Sequence, residues 1–364
     1  MAYVRKNIHG LNAYVPGEQP SDEDILKLNT NENPFPPTPA VLKAIAGVGP
    51  EQLRRYPCPT ASEFRAVAAN THGVDSDMVI ATNGGDELLR LALTTFCDPL
   101  PTGAGVAVAE PSYSLCPVLA AIHDTDLLRI PLGDAFALPG DFAERVLEAG
   151  CRLAMVVNPH APSGRLESLD TLRAVASRLQ GRAVLLVDEA YVDFAAEDAS
   201  ALVTRDARDN VLLLRSLSKG YSLAGLRFGY GLAHRDLIAA MDKVRDSYNT
   251  DALAQAAATA ALASRQVASD NWSRVTTQRT RLATALRQRG WSVLDSHANF
   301  LLATPPDATG VQVAQSLYRD LQKHQIFVRY FNAPTLSDKL RITIGTEAQV
   351  DALITALDAM GASS

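Results

Sequence analysis

Short apolar runs recur through the first two thirds of the chain, each bounded by polar or turn-forming residues. They are "MVIAT" (78–82), "GVAVAE" (105–110), "RLAMVV" (152–157), "RAVLLVD" (182–188), "NVLLLR" (210–215) and "RFGYGLA" (227–233). Their apolar residues run on instead of alternating, the pattern of strands buried on both faces. Between them lie segments of helical period, "GGDELLRLALTTF", "SYSLCPVLAAI" and "ESLDTLRAVASRL". Strand and helix in alternation predict an α/β fold, a mostly parallel sheet sandwiched by helices. In such sheets ligands bind beyond the carboxyl ends of the strands, so chemistry is sought first at the residues that close each run.

From about Asp251 the texture changes. Two long alanine- and arginine-rich helical stretches, 251–267 and 270–289, lead to "NFLLAT", "IFVRYF", "KLRITIG" and a closing helix, "EAQVDALITALDAMG". This pattern predicts a smaller α+β domain. The expected division is an irregular N-terminal arm over 1–32, a large α/β domain over 33–250 and the small domain over 251–364.

Composition narrows the function classes. With 47% apolar and 20% charged residues the chain can bury a sizeable core. A net charge of -6 argues against an electrostatic binder of nucleic acid. Cys58, Cys97, Cys116 and Cys151 are widely spaced and form no CxxC pair, so no metal site is expected. Such cysteine usage fits a reducing compartment. The opening "MAYVRKNIHGLNAYVPGE" has no apolar signal core, and no apolar run approaches the length of a membrane span. The expected location is the cytoplasm.

The strand ends carry the candidate chemistry. "TNGGDELL" reads as strand, glycine turn and helix start, with Gly85 and Asp86 where free N–H groups favour an anion; an ordinary capped helix has the same pattern. Tyr113 follows the run ending at Glu110, and Asn158 follows the run ending at Val157, where a plain turn is the simpler reading. Asp188 closes a buried strand, with Tyr191 three residues on; a carboxylate there is costly unless it is paired or caps a helix. Then "RSLSKGYSLAGLR" offers Ser216, Ser218, Lys219 and Arg227. A lysine amine is a nucleophile only when burial or a neighbouring cation depresses its pKa, and Arg215 and Arg227 are the nearby cations. One aldehyde cofactor, pyridoxal 5'-phosphate, answers to all of these groups at once. It needs a lysine, a carboxylate for its ring nitrogen, donors for its phenolic oxygen, an aromatic face, and hydroxyls with an arginine for its phosphate.

The segments "KLNTNENPFPP", "RYPCP", "TNGGDELL", "VDEAYVDF", "SLSKGYSLAGLRFG" and "LRITIGT" resemble, in order and spacing, those of the fold-type-I pyridoxal-phosphate-dependent aminotransferases, and within them the histidinol-phosphate aminotransferase family. The resemblance runs from about Asn12 to Thr346. It implies that Lys219 carries the cofactor and shuttles the proton, that Asp188 pairs with the ring nitrogen, and that Asn158 and Tyr191 hold the phenolic oxygen. Tyr113 would stack on the ring. Ser216, Ser218, Arg227 and the backbone of Gly85 and Asp86 would bind the phosphate, and Tyr56 would reach the site of a second subunit in a homodimer. Substrate contacts would come from Tyr14, Asn158, Tyr248, Arg329 and Arg341. The implied reaction is transamination between L-histidinol phosphate and 2-oxoglutarate.

The chain departs from the family pattern at "NPHAPSG", where His160 and Ala161 replace asparagines, and at Gly85, where a small hydroxyl residue is usual. The bulky pair Tyr330-Phe331 follows Arg329. These changes keep two alternatives on the same fold open, an aromatic amino-acid aminotransferase and a threonine-phosphate decarboxylase. A non-catalytic cofactor-binding protein is a further reading. Ser216 to Lys219 also spells S-x-x-K, but the companion SDN and KTG motifs of the penicillin-recognising acylases are missing.

Overall fold

The computed structural model describes residues 3–14, 17–20, 25–100, 104–306 and 311–361. The strands are β1 (Leu26–Lys27), β2 (Val79–Thr82), β3 (Val106–Glu110), β4 (Leu127–Pro131), β5 (Leu153–Val157), β6 (Val184–Asp188) and β7 (Val211–Ser216). They continue with β8 (Gly229–Ala233), β9 (Ser292–Val293), β10 (Phe300–Thr304), β11 (Ile326–Phe327), β12 (Arg329–Tyr330) and β13 (Leu340–Thr343). Seven of these form one sheet in the order β2-β8-β7-β6-β5-β3-β4. Only β8 runs against its neighbours, and the other strands share one direction.

Both faces of this sheet are covered, which is why its strands read as unbroken apolar runs. Alternate residues go to separate cores: Leu185, Val187 and Leu213 pack on one side, Leu186, Leu212 and Leu214 on the other. Helix α1 (Gly84–Phe96) covers the second side through Leu88, Leu89 and Leu93. The register puts Val157, Asp188 and Leu214 level across β5, β6 and β7. The loops that follow those strands therefore leave the sheet side by side.

A four-stranded antiparallel sheet, β12-β13-β10-β9, forms a second layer system, and β1 pairs in parallel with β11. The segment after β1 links the two sheets. The Leu28 carbonyl accepts from the Thr343 N–H at 3.0 Å. Five residues on, Asn33 Nδ2 donates to the carbonyls of Lys219 and Gly220, both at 3.1 Å.

Strand β4 is absent from the apolar-run reading because it lies at the sheet edge and exposes Arg129 and Pro131. The two helical stretches after Asp251 are Ala252–Ala263 and Arg265–Gln288, broken at Ser264. "IFVRYF" divides at Val328 into β11 and β12, which join different sheets. No helix among the described residues is long and apolar enough to cross a membrane. Nor does any group of three or more His, Cys, Asp or Glu among them form a candidate metal site.

Candidate active site

The carboxyl ends of β2, β6 and β7 open on a cavity of about 660 Å³, closed on its far side by Arg329 and Arg341 of the small sheet. At one corner α1 begins without a side-chain cap, leaving its first N–H groups unpaired by Asn83. Gly84 holds φ +76°, and a Cβ at Gly229 would meet the Gly84 carbonyl carbon at 2.7 Å, so glycine at both positions lets the helix start come against β8. Ser216 and Ser218 lie buried in the same corner, with Ser216 Oγ accepting from the Ser218 N–H at 3.1 Å. Arg227, at φ 57°, donates to the Ala224 carbonyl at 3.0 Å and stands 3.5 Å from Asp86 Oδ2. That ion pair is half exposed and weak, so it does not hold the guanidinium away from an anion.

Lys219 is partly buried, and its Nζ donates to the Thr30 carbonyl at 3.0 Å. Burial, then the charges of Arg341 and Arg227, depress its pKa to about 8 against the pull of Glu32. Arg215, expected from the sequence to share this role, does not. It is held in a buried pair with Glu189 Oε2 at 2.8 Å, and its Nη2 reaches Ser200 Oγ at 3.1 Å. The cation that sequence proximity could not supply is Arg341, from the other sheet.

Asp188 faces the cavity with its pKa raised to about 6 by burial, one carboxylate oxygen accepting from the Ala190 N–H at 3.0 Å. Among the described residues no lysine or arginine pairs with it. A buried carboxylate without a cation calls for one from a ligand. Tyr191 lines the same wall and receives Asn31 Nδ2 at 3.1 Å. Tyr113 donates its hydroxyl to Asp86 Oδ1 at 3.1 Å and packs edge-on against Tyr14, with ring centroids 5.9 Å apart.

On the small sheet, Arg329 and Arg341 are cross-strand partners. Arg341 Nη2 donates to the Asn29 carbonyl at 2.9 Å, but its Nε is buried and without a partner. Burial and then Arg329 lower the Arg341 pKa to about 10. The alternation of β12 separates the bulky pair: Tyr330 packs toward Tyr318, while Phe331 lines the cavity against both guanidiniums.

Gly85, Asp86, Tyr113, Asp188, Tyr191 and Tyr14 thus meet Ser216, Ser218, Lys219, Arg227, Arg329 and Arg341 around one space. Three expected residues stand apart. Asn158 is buried beside the cavity wall, its side chain bracketing the Glu167 backbone: Oδ1 accepts at 2.7 Å and Nδ2 donates at 3.2 Å. Tyr56 and Tyr248 stack on each other at 4.5 Å and line a separate cavity. Residues singled out only as part of "NTNENP", namely Thr30, Asn31 and Glu32, also line the Lys219 cavity. Their signal was the run of polar residues in a segment with no strand or helix pattern of its own.

These groups fit pyridoxal 5'-phosphate: an uncapped helix start with two hydroxyls and a guanidinium for its phosphate, an uncompensated buried carboxylate for its ring nitrogen, and a lysine of depressed pKa for its aldehyde. A family model for aminotransferases of class I and II matches residues 23–357, and the chain belongs to this pyridoxal-phosphate-dependent family. Over 98% of both chains it is 43% identical to histidinol-phosphate aminotransferase 1 of Trichormus variabilis. It is 42% identical to the histidinol-phosphate aminotransferase of Microcystis aeruginosa over 95% of this chain and 94% of that one. Among solved structures, histidinol-phosphate aminotransferase from Sinorhizobium meliloti in complex with pyridoxal-5'-phosphate aligns with a TM-score of 0.88 at 25% identity, covering 98% of this chain and 97% of that chain. The chain falls among the histidinol-phosphate aminotransferases.

Proposed function

We propose that the chain binds pyridoxal 5'-phosphate in the Lys219 cavity and exchanges the amino group of L-histidinol phosphate with 2-oxoglutarate, giving imidazole acetol phosphate and L-glutamate. The observation that carries this reading is that Lys219 and Asp188 share one cavity with two separate sets of anion-binding groups. One set, Ser216, Ser218, Arg227 and the backbone of Gly85 and Asp86, suits the cofactor phosphate. The other, Arg329 and Arg341, comes from the small sheet and suits an anionic substrate group such as a phosphate monoester.

When bound, the cofactor supplies an electron sink for the charge left at the substrate's α-carbon. The chain's residues do the rest. Lys219 would hold the cofactor's aldehyde carbon, and its amine, once freed, would move the α-proton. Asp188 would keep the ring nitrogen protonated, Tyr113 would stack on the ring, and Tyr191 would donate to the phenolic oxygen. Asn158 adds the amide hydrogen left after its bond to Glu167. Tyr14 joins the substrate contacts from within the cavity, while Tyr248 stays with Tyr56 in the separate one. We place the active unit as a cytoplasmic homodimer in which Tyr56 reaches the neighbouring site; the exposure of Tyr56 and the free cysteines support this part.

The test is single turnover followed by cofactor absorbance, with L-histidinol phosphate, L-threonine phosphate and L-phenylalanine mixed in separately. Rapid conversion by histidinol phosphate alone, reversed by 2-oxoglutarate, is the expected result. Conversion by phenylalanine instead would discard the phosphorylated substrate, and release of carbon dioxide from threonine phosphate would replace transamination with decarboxylation. A protein with no cofactor absorbance after reconstitution would overturn the reading from Lys219 outward.

A further inference from the structure

We propose that Asn31 is a positioning residue that presents the Tyr191 hydroxyl as a hydrogen-bond donor to the ligand in the Lys219 cavity; the inference rests on the pyridoxal-phosphate reading given above. It follows from a chain of hydrogen bonds that leaves one hydrogen over. The Asn31 N–H donates to Thr343 Oγ1 at 3.0 Å, and the Thr343 hydroxyl donates to Asn31 Oδ1 at 3.1 Å. That reciprocal pair turns the amide nitrogen toward Tyr191, whose hydroxyl oxygen accepts from Asn31 Nδ2 at 3.1 Å. A phenol whose oxygen accepts a bond still has its own hydrogen to give. Donors linked in series also polarise one another, so Tyr191 becomes the stronger donor for it.

The rest of the surroundings hold this arrangement still. Asn31 sits at φ 57°, a left-handed conformation that asparagine tolerates better than most residues. Its carbonyl accepts from Asn299 Nδ2 at 2.9 Å. Asn31, Asn299 and Thr343 are all buried, at 1%, 0% and 3% exposure. Polar side chains are costly in such a place unless they hold something. The Tyr191 ring is fixed edge-on against Phe300, with centroids 5.0 Å apart and planes at 88°, so its hydroxyl keeps one address. Tyr191 and Asn31 both line the cavity that holds Lys219.

A donor aimed at the cofactor's phenolic oxygen stabilises its ionised form and loosens the proton shared by cofactor and lysine. Weakening the donor therefore raises the pH at which the absorbance of the lysine-bound cofactor changes. The experiment titrates that absorbance in reconstituted protein. Asn31→Gly removes the amide while accepting the same backbone angle, and should move the transition up by roughly half a pH unit to one unit. Thr343→Val, which frees the amide to turn, should move it the same way, and Thr343→Ser should restore the parent value. In a Tyr191→Phe background Asn31→Gly should move nothing further. An equal shift in that background, or no shift with Tyr191 present, would overturn the inference. A downward shift would also overturn it, because it would mean that Tyr191 gives its hydrogen to Asn31 and not to the cavity. If the parent protein shows no lysine-bound absorbance at all, the cofactor reading fails and this inference fails with it.

Discussion

Arg329 and Arg341 stand directly opposite each other on β12 and β13, and neither is paired with a carboxylate among the described residues. Like charges directly across a ladder oppose folding, and the buried, unpaired Nε of Arg341 adds to that cost. Such an arrangement is favourable only with an anion between or beside the two. With a charge-assisted bond contributing about 1.5–3 kcal/mol, Arg341→Gln should raise KM for L-histidinol phosphate roughly 10–100-fold. kcat should fall less, since the group held is remote from the reacting carbon. Steady-state kinetics decides this, and an unchanged KM would place the substrate phosphate elsewhere.

The same arginine reaches into the behaviour of Lys219. Burial depresses that amine to a pKa of about 8, with Arg341 the largest charge contribution in the same direction. Capture of free cofactor needs the neutral amine, so its rate should climb roughly tenfold per pH unit below that value and level off above it. Removing the Arg341 charge should move the plateau to higher pH. Stopped-flow mixing of cofactor-free protein with pyridoxal 5'-phosphate measures both, and capture independent of pH across the range would refute the neutral-amine argument. Lys219→Ala should leave the cofactor bound without a covalent link and lower turnover by at least roughly 10²–10⁴-fold.

His160, one of the departures from the family pattern, has a structural role that can be measured. Its Nε2 donates to the Pro111 carbonyl at 2.7 Å, and its Nδ1 lies 2.7 Å from Ser163 Oγ. With Nε2 carrying the hydrogen, Nδ1 accepts from the serine, and the ring is neutral. It thus ties the loop after β5 to the loop that carries Tyr113. Burial lowers its pKa from 6.5 to about 4. A base whose folded pKa is depressed contributes stability that is present above the unfolded pKa and lost as pH falls through the folded one. The parent should therefore lose stability between about pH 6.5 and 4, and His160→Gln should flatten that part of the Tm-versus-pH curve. At neutral pH, His160→Phe should cost about 1–3 kcal/mol by stranding the Pro111 carbonyl. Equal acid sensitivity in parent and variant would assign it to other groups.

How far the sequence carried depended on whether a residue's surroundings were local. The buried strands β5, β6 and β7 were legible because both faces are covered, and Asp188, Ser216 and Lys219 could be placed at their ends. Edge strand β4 turns Arg129 and Pro131 outward and left no such trace. Arg215 and Arg341 show the same limit within the site. The first is near Lys219 in sequence but points to Glu189, while the second, far away in sequence, is the one that acts on it. The partners of Tyr191 were equally out of reach, since Asn31 and Thr343 are separated by 312 positions and meet only when the segment after β1 lies against β13. Side-chain direction at a strand end and contact between distant segments are properties of packing, and no local pattern states them.

Tyr56 offers the sharpest test of the proposed dimer. It is 81% exposed and stacks on Tyr248 at 4.5 Å, beside Leu53 and Leu253 in a cavity of about 670 Å³ that holds none of the Lys219 groups. Exposed aromatics grouped with exposed leucines mark a surface that another protein covers. If a second copy covers it and Tyr56 serves that copy's site, the defects of Lys219→Ala and Tyr56→Ala must complement each other. Neither variant alone has an intact site. A mixed dimer has one, formed by the Tyr56 of the first subunit and the Lys219 of the second. Equal mixing with free subunit exchange should therefore restore about a quarter of parent activity, since half of the dimers are mixed and each holds one competent site of two. Activity no higher than the mean of the separate variants would assign Tyr56 to its own chain or to no site. A fully active species that sediments as a monomer would remove the shared site altogether.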